Sequence, residues 1–528
     1  MLLLIVAGCA LALHAGAAVA SRRDAGEARF ARSVIEIGKR RDDAYRARAR
    51  SPLAVRAAVT PARDWQAQVD AAWGAGLPTG RKLEIFDAFW KAIDERYASW
   101  QGLNVDWAAL RARYRPQVAA GVSRGRFAQI MMYMALELRD SHVAPFDRVV
   151  WGPLFPGFPI IGVGQWFGNN SGTCGTAQPD GSTLIYSAVR NHPLGLQAGD
   201  SILGFDGRPW RENLDELLAA RLPLSPIFWG SSPSSYDDTF MSVANINWHL
   251  FRTMDVRKFE TGEVQHRSTA PLQSEPFSGD CSEQLDIPGV PKPDFFSGDD
   301  VSWGVVRGTH IGYIYVWAWR DPAGAEFTAA VKSLTQDRRT DGLIIDHRFD
   351  LGGYLGADDD GLDMLFKGEP AVEGLDTRAD PLDHLRMRLA APPSLFRIGG
   401  RDGKPDPRAY DRPIAVLTGP GTVSMGDHAV LRLRRHPRVR TFGKPEASAF
   451  GPVARLDVDD DWLIHYPFDD AWRLGERHDY LTREEIAPDQ AVWLRPADVA
   501  HGRDTVVDAA IAWIEGSRAN DFRLRANR

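Results

Sequence analysis

The chain has 528 residues and a formal net charge of −6, with 63 Lys and Arg against 69 Asp and Glu. Hydrophobic residues make up 44% and charged residues 25%, an ordinary globular balance, and the length calls for several domains rather than one core. That charge excludes the basic footprint of a nucleic-acid-binding protein.

Residues 1–20, MLLLIVAGCALALHAGAAVA, are apolar and rich in small side chains. They are expected to form an export signal rather than a structural helix. Ala18-Val19-Ala20 fits a small-x-small cleavage site. Val6-Ala7-Gly8-Cys9 resembles a bacterial lipobox, which would place a lipid anchor on Cys9. The expected location is the periplasm of a bacterium, or its membrane if Cys9 is lipidated. No later stretch is long and apolar enough to span a membrane. Beyond Cys9 the chain has two cysteines, Cys174 and Cys281. An oxidising compartment would let them pair; otherwise they are two free thiols.

Residues 21–75 read as a polar, Arg- and Ala-rich linker, and 76–150 as an N-terminal helical unit. There Phe86, Phe89, Trp90, Ile93 and Tyr97 recur three and four apart, one face of a helix. Phe127, Ile130, Met131, Met134 and Leu138 repeat the pattern. That last helix ends at Arg139-Asp140, with Ser141 and His142 just beyond.

Residues 151–268 change to short β-like runs between Gly-rich turns. Gly199-Asp200 marks a turn, 201–205 a strand, and Asp206-Gly207 a tight hairpin turn. The run GLQAGDSILGFDG resembles the core of a PDZ domain, a module that adds an extended peptide to a sheet edge. Residues 269–300 are Pro-, Gly- and Ser-rich and acidic, a linker. The α/β core is expected over 301–515, with a polar tail at 516–528. The core opens with a strand at 311–317 and a helix at 323–335. The apolar strand GLIID (342–346) then runs into Asp350-Leu351-Gly352-Gly353. A helix to 366 and a long polar excursion to 411 follow. At 414–417 comes another buried strand, then a Gly/Pro turn, Ser424, and a helix that stops by Pro437.

Strand, tight turn, serine and helix can make a nucleophile. The turn exposes the hydroxyl, and the first free N–H groups of the helix face a developing oxyanion. Alone, the stretch is equally consistent with Ser424 as a plain helix cap.

The order of segments adds to that stretch. A helical unit ends in Asp-Ser-His. A PDZ-like unit follows, then GLIID-x-R with a Gly-Gly loop, and then T-x-S-x-G-[acid]. This order resembles the C-terminal processing (tail-specific) serine peptidases, in particular the tricorn-core-like branch. The resemblance implies a multidomain α/β protein whose core is ClpP/crotonase-like, and a peptidase acting on polypeptides without a cofactor. It places Ser424 as nucleophile and the backbone of Gly352, Gly353 and Met425 at the oxyanion hole. One branch of the family takes its base from a lysine about 25 residues after the serine, but Ala449 stands there. Lys444 falls on a variable position. The tricorn-like branch uses a histidine in a motif matched by Asp140-Ser141-His142, so His142 is implied as base and Ser141 as its orienting partner. The relay acid is expected near Glu484, with Glu485 and Asp479 as alternatives, since its ungapped position is Thr482. Retinoid-binding relatives imply an alternative, a non-catalytic binding protein on the same fold. His347 and His428 are weaker candidates for the base, and no metal-binding pattern is apparent.

Overall fold

The computed structural model describes residues 63–526, apart from 152–157, 165–170, 227–228, 274–280, 295–297, 368–370, 397–408 and 476. The expected export signal, Cys9 and most of the expected linker lie outside the described residues.

A helix, Trp65–Trp73, already begins within the stretch read as linker, capped by the Asp64 carboxylate, which accepts the Ala67 N–H at 3.0 Å. Thr79–Arg96, Trp107–Ala119 and Arg124–Leu136 follow. Of the predicted stripe, Phe86, Phe89, Ile93 and Tyr97 are fully buried in one cluster with Trp107 and Phe127, and Trp90 is half-buried against it. Each such side chain contributes about 1.5–3 kcal/mol of burial. After Leu136 the chain turns through Arg139, which has φ 49°. It then enters the strand Ala144–Asp147, antiparallel to Trp462–Pro467. The helical unit is thereby stitched to the distal part of the core, and the Asp140–His142 turn is carried inside.

Antiparallel strands form the next unit, in the order Thr173–Ala177, Thr183–Ala188, Ser201–Phe205, Thr253–Arg257, Val264–Ser268. Asp206 and Gly207 make the predicted turn, both with positive φ. Helices Trp210–Ala219 and Pro233–Met241 flank the sheet. Cys174, on the first strand, is disulfide-bonded to Cys281, closing 107 residues of sequence. Loop-closure entropy predicts that reduction, or Cys174→Ser, lowers unfolding stability by about 2–5 kcal/mol. The check is the denaturant midpoint with and without reductant; an unchanged midpoint would show that the bridge does not constrain the unfolded chain.

The α/β core is a six-stranded sheet: Val301–Val305, Ile311–Val316, Gly342–Asp346, Ile414–Thr418, Val439–Gly443, Gln490–Ala491. Only the first pair is antiparallel. GLIID and the 414–418 strand are buried throughout, as parallel strands covered on both faces must be. Along Ile311–Val316, Tyr313 and Tyr315 pack with Val506 and Ile514 on one face, while Ile314 and Val316 pack with Phe327 and Val430 on the other. The arginine two residues after GLIID is fixed by two carboxylates. Arg348 is fully buried, with its guanidinium on Asp346 (2.7 Å) and Asp504 (2.9 Å). It ties the strand end to the C-terminal helix, Thr505–Ala526. A second sheet, Met387–Ala391, Glu373–Arg378, Asp469–Arg473, Asp479–Tyr480, contains the stretch read from sequence as a polar excursion. Among the described residues no helix is long and apolar enough to cross a membrane.

Candidate active site

Ser424 and the glycine loop leave the carboxyl ends of two adjacent parallel strands, where open α/β sheets form their crevice. Thr422 Oγ1 donates to the His347 carbonyl (2.8 Å), and the Val423 N–H donates to the Asp350 carbonyl (2.8 Å), so the two loops are bound together. Ser424 then takes φ 61°, ψ −119°, the first central position of a type II′ turn, which ordinarily requires glycine. The helix Met425–Leu433 starts at the next residue. Ser424 is thus a helix N-cap, but a strained one, and such strain clusters at functional sites.

Gly352 and Gly353 have φ 74° and 147°. A Cβ on Gly352 would lie 2.5 Å from Ser424 Cβ and 3.0 Å from the Met425 nitrogen, so only glycine fits against the serine. The Gly352 N–H is already given to Asp350 Oδ1 (3.0 Å). The Gly353 and Met425 N–H groups donate to no described residue. The loop's available donor is therefore Gly353, while Gly352 supplies the close approach. Gly352→Ala is expected to cut kcat at least ~100-fold and to destabilise the fold by about 1–3 kcal/mol from backbone strain alone. A folded variant with wild-type kcat would remove Gly352 from the site.

His142 and Ser141 are buried in the turn after the helical unit. Asp140 holds that turn. Its Oδ1 accepts the His142 N–H (3.0 Å) and its Oδ2 accepts the Tyr97 hydroxyl (2.9 Å). The Gly451 carbonyl lies against the His142 ring. Burial pushes the imidazole down to about 4, with His428 adding to the shift and Asp140 and Gly451 opposing it. At neutral pH the ring is therefore uncharged and able to accept a proton. Ser141 meets a different partner from the expected one. Its N–H donates to Ser231 Oγ (3.0 Å), and the Ser231 hydroxyl donates to Ser141 Oγ (3.3 Å). Glu484, the expected relay acid, instead pairs with Arg473 at 3.0 Å. Glu485 accepts the Ser234 N–H at 3.1 Å. Thr482 is present as a hydroxyl donor to Asp470 (2.6 Å), a buried carboxyl whose pKa burial pushes up to about 6.

Of the other basic groups, His428 and Lys444 are spent on acceptors, while His347 is held at Nδ1 and its buried Nε2 meets no described partner. His428 has Nδ1 on Glu373 (2.7 Å) and Nε2 on the Phe450 carbonyl (2.9 Å), an acceptor at each nitrogen, which leaves no lone pair for a serine proton. His347 Nδ1 is held by Asp350 Oδ2 (2.7 Å), which also takes the Trp319 indole N–H (2.8 Å). Lys444 is paired with Asp238 and donates to the Ala177 carbonyl (3.1 Å), bridging the core to the β-rich unit. Asp350 thus braces the glycine loop through three donors, the Gly352 N–H, the Trp319 indole and His347.

Comparison with known proteins identifies two segments of the chain. Residues 310–492 match the model of peptidase family S41, and residues 79–135 match the tricorn protease C1 domain. No curated protein matches the chain. Among solved structures, mature CPAF complexed with lactacystin is 13% identical with a TM-score of 0.57, covering 85% of this chain and 99% of its own. The photosystem II D1 C-terminal processing protease is 15% identical with a TM-score of 0.40, covering 79% and 94%. Tricorn protease is 14% identical with a TM-score of 0.39, covering 83% and 37%. The chain thus carries a peptidase family S41 domain over residues 310–492, preceded by a segment, 79–135, that matches the tricorn protease C1 domain.

Proposed function

We propose that this serine-type peptidase works through a Ser424–His142 mechanism rather than a Ser–Lys one, and that it cleaves polypeptides in an exported compartment. The observation that carries the reading is the strained Ser424, with Gly352 closed against its Cβ and the Gly353 and Met425 N–H groups donating to no described residue. His142 accepts the Ser424 proton as the hydroxyl attacks the peptide carbonyl. The tetrahedral oxyanion is received by the two N–H groups, each lowering the barrier by about 3–4 kcal/mol. His142 then protonates the leaving amine, and water hydrolyses the acyl-enzyme. The lone lysine nearby is spent on Asp238, and position 449 is alanine, which argues against a lysine base. The β-rich unit is assigned the recruitment of polypeptide by addition to a sheet edge. The disulfide and the apolar residues 1–20 support export.

Labelling with a serine-directed fluorophosphonate tests the reading. Wild type should label, and Ser424→Ala and His142→Ala should not. A folded wild type that takes no label would favour the non-catalytic binding protein instead.

A further inference from the structure

Two serines in this core have positive φ: Ser424 (61°) and Ser448 (56°). One carboxylate holds both. Asp427 is fully buried, three residues into the helix that Ser424 begins. Its Oδ2 accepts the N–H of Ser424 (2.8 Å) and of Ala449 (3.0 Å), and its Oδ1 accepts the N–H of Ser448 (2.9 Å). The first of these bonds is the reach of an N3 acid back to its N-cap, which is a local matter of helix starts. The other two are long-range, and they fasten the 446–451 segment directly onto the nucleophile's backbone.

That segment has its own attachments. The Ala447 carbonyl accepts the N–H groups of Ser231 (2.7 Å) and Ser232 (2.9 Å), and Ser231 is the residue that meets Ser141. The Phe450 carbonyl holds His428 Nε2, and the Gly451 carbonyl lies against His142. Nucleophile and histidine come from helices about 280 residues apart in sequence, a separation set by the chain's topology. The 446–451 segment is a physical connection between them, and Asp427 is its fastening at the serine end.

We propose that Asp427 is a positioning residue that latches the 446–451 segment to the backbone of Ser424 and so sets the geometry between the nucleophile and His142. The inference rests on the Ser424–His142 reading above. An ionised carboxylate suits the task because it is acceptor-only and can take several N–H groups at once. An amide in its place offers one acceptor oxygen and turns an N–H₂ toward a backbone donor.

The test is Asp427→Asn, assayed as the full chain on a peptide substrate, with thermal unfolding to confirm the fold. Expected is a kcat at least ~100-fold lower with KM within about two-fold, and fluorophosphonate labelling slowed in proportion. A merely structural role would scale the active fraction without slowing labelling per folded molecule. If Asp427→Asn fails to fold, Asp427→Glu serves. It keeps the carboxylate but displaces it by one methylene, and its kcat should fall at least ~10-fold with KM unmoved. A folded variant of either kind with kcat within threefold of wild type overturns the latch. Ser424→Ala separates the two ideas. If it is dead while Asp427→Asn is fully active, only the latch fails; if Ser424→Ala is active, the nucleophile assignment and the latch fall together.

Discussion

Ser424→Ala should lower kcat at least ~10⁴-fold while leaving KM and the fold intact, because the hydroxyl contributes nothing before the chemical step. Ser424→Gly should be equally inactive, but the two variants should part in stability. Alanine at φ 61°, ψ −119° carries the same strained backbone as serine, whereas glycine adopts that conformation freely. Releasing strain of about 1–3 kcal/mol outweighs the extra unfolded-state entropy of glycine, which costs about 0.5–1 kcal/mol. Thermal unfolding should therefore rank Ser424→Gly above wild type, with Ser424→Ala close to wild type. An ordinary N-cap predicts the reverse: losing the side chain would destabilise both variants, alanine more than glycine. One pair of melts thus separates a strained nucleophile from a plain helix cap. Residual peptidase activity above about one per cent in Ser424→Ala would exclude it as the nucleophile.

Much of this site is legible in the sequence because its parts are local. GLIID has no polar residue until its end, so it reads as a strand covered on both faces. The Gly-Gly after it and the turn before Ser424 place two loops at one sheet edge. Asp140-Ser141-His142 follows a helix whose stripe is unmistakable. What the sequence hides are contacts made across long separations. Ser231 reaches Ser141 from a helix start in the β-rich unit, where Gly-Ser-Ser-Pro reads as a loop. Asp470 lies beside Thr482 because a strand passes there, and no motif near 482 announces it. Glu484 is of the same kind: proximity to a motif in sequence does not announce that its side chain pairs with Arg473. The second sheet escapes because its strands carry Asp, Arg and Gly, and its buried Glu373 meets a distant partner, His428. Asp427 is visible in the sequence as the acid after Ser-x-Gly, but its reach to Ser448 and Ala449 is not.

The pH dependence of kcat/KM offers the sharpest test of the remaining roles. Two buried groups at the site titrate as the pH falls. Asp427 is pushed up to about 7 by burial, against the pull of its three amide donors and of His428; Glu446, faced by Arg434, lies in the same pocket. Burial pushes His142 down to about 4, with His428 adding to the shift and Asp140 and the Gly451 carbonyl opposing it. A carboxylate whose pKa is raised is charged above that value and loses its charge below it. Protonating Asp427 weakens an acceptor of three N–H groups and should remove part of the rate. A histidine whose pKa is lowered stays neutral, and basic, until the pH falls through that value. Protonating His142 removes the base and should remove all of the rate. The profile should therefore show a partial step near pH 7 and a complete limb near pH 4, rather than one limb at the usual histidine value near 6.5. Asp427→Asn should erase the step and keep the limb. The same pKa shift bears on stability in the same direction but over a higher window: a buried neutral histidine disfavours the folded state once the unfolded chain protonates, so His142 costs stability below about pH 6.5, increasingly down to about pH 4. His142→Gln removes that cost while it removes the base, and should flatten the acid side of the unfolding curve over this window. A single limb at pH 6.5 in both wild type and Asp427→Asn would mean that the base is a solvent-exposed histidine and not His142.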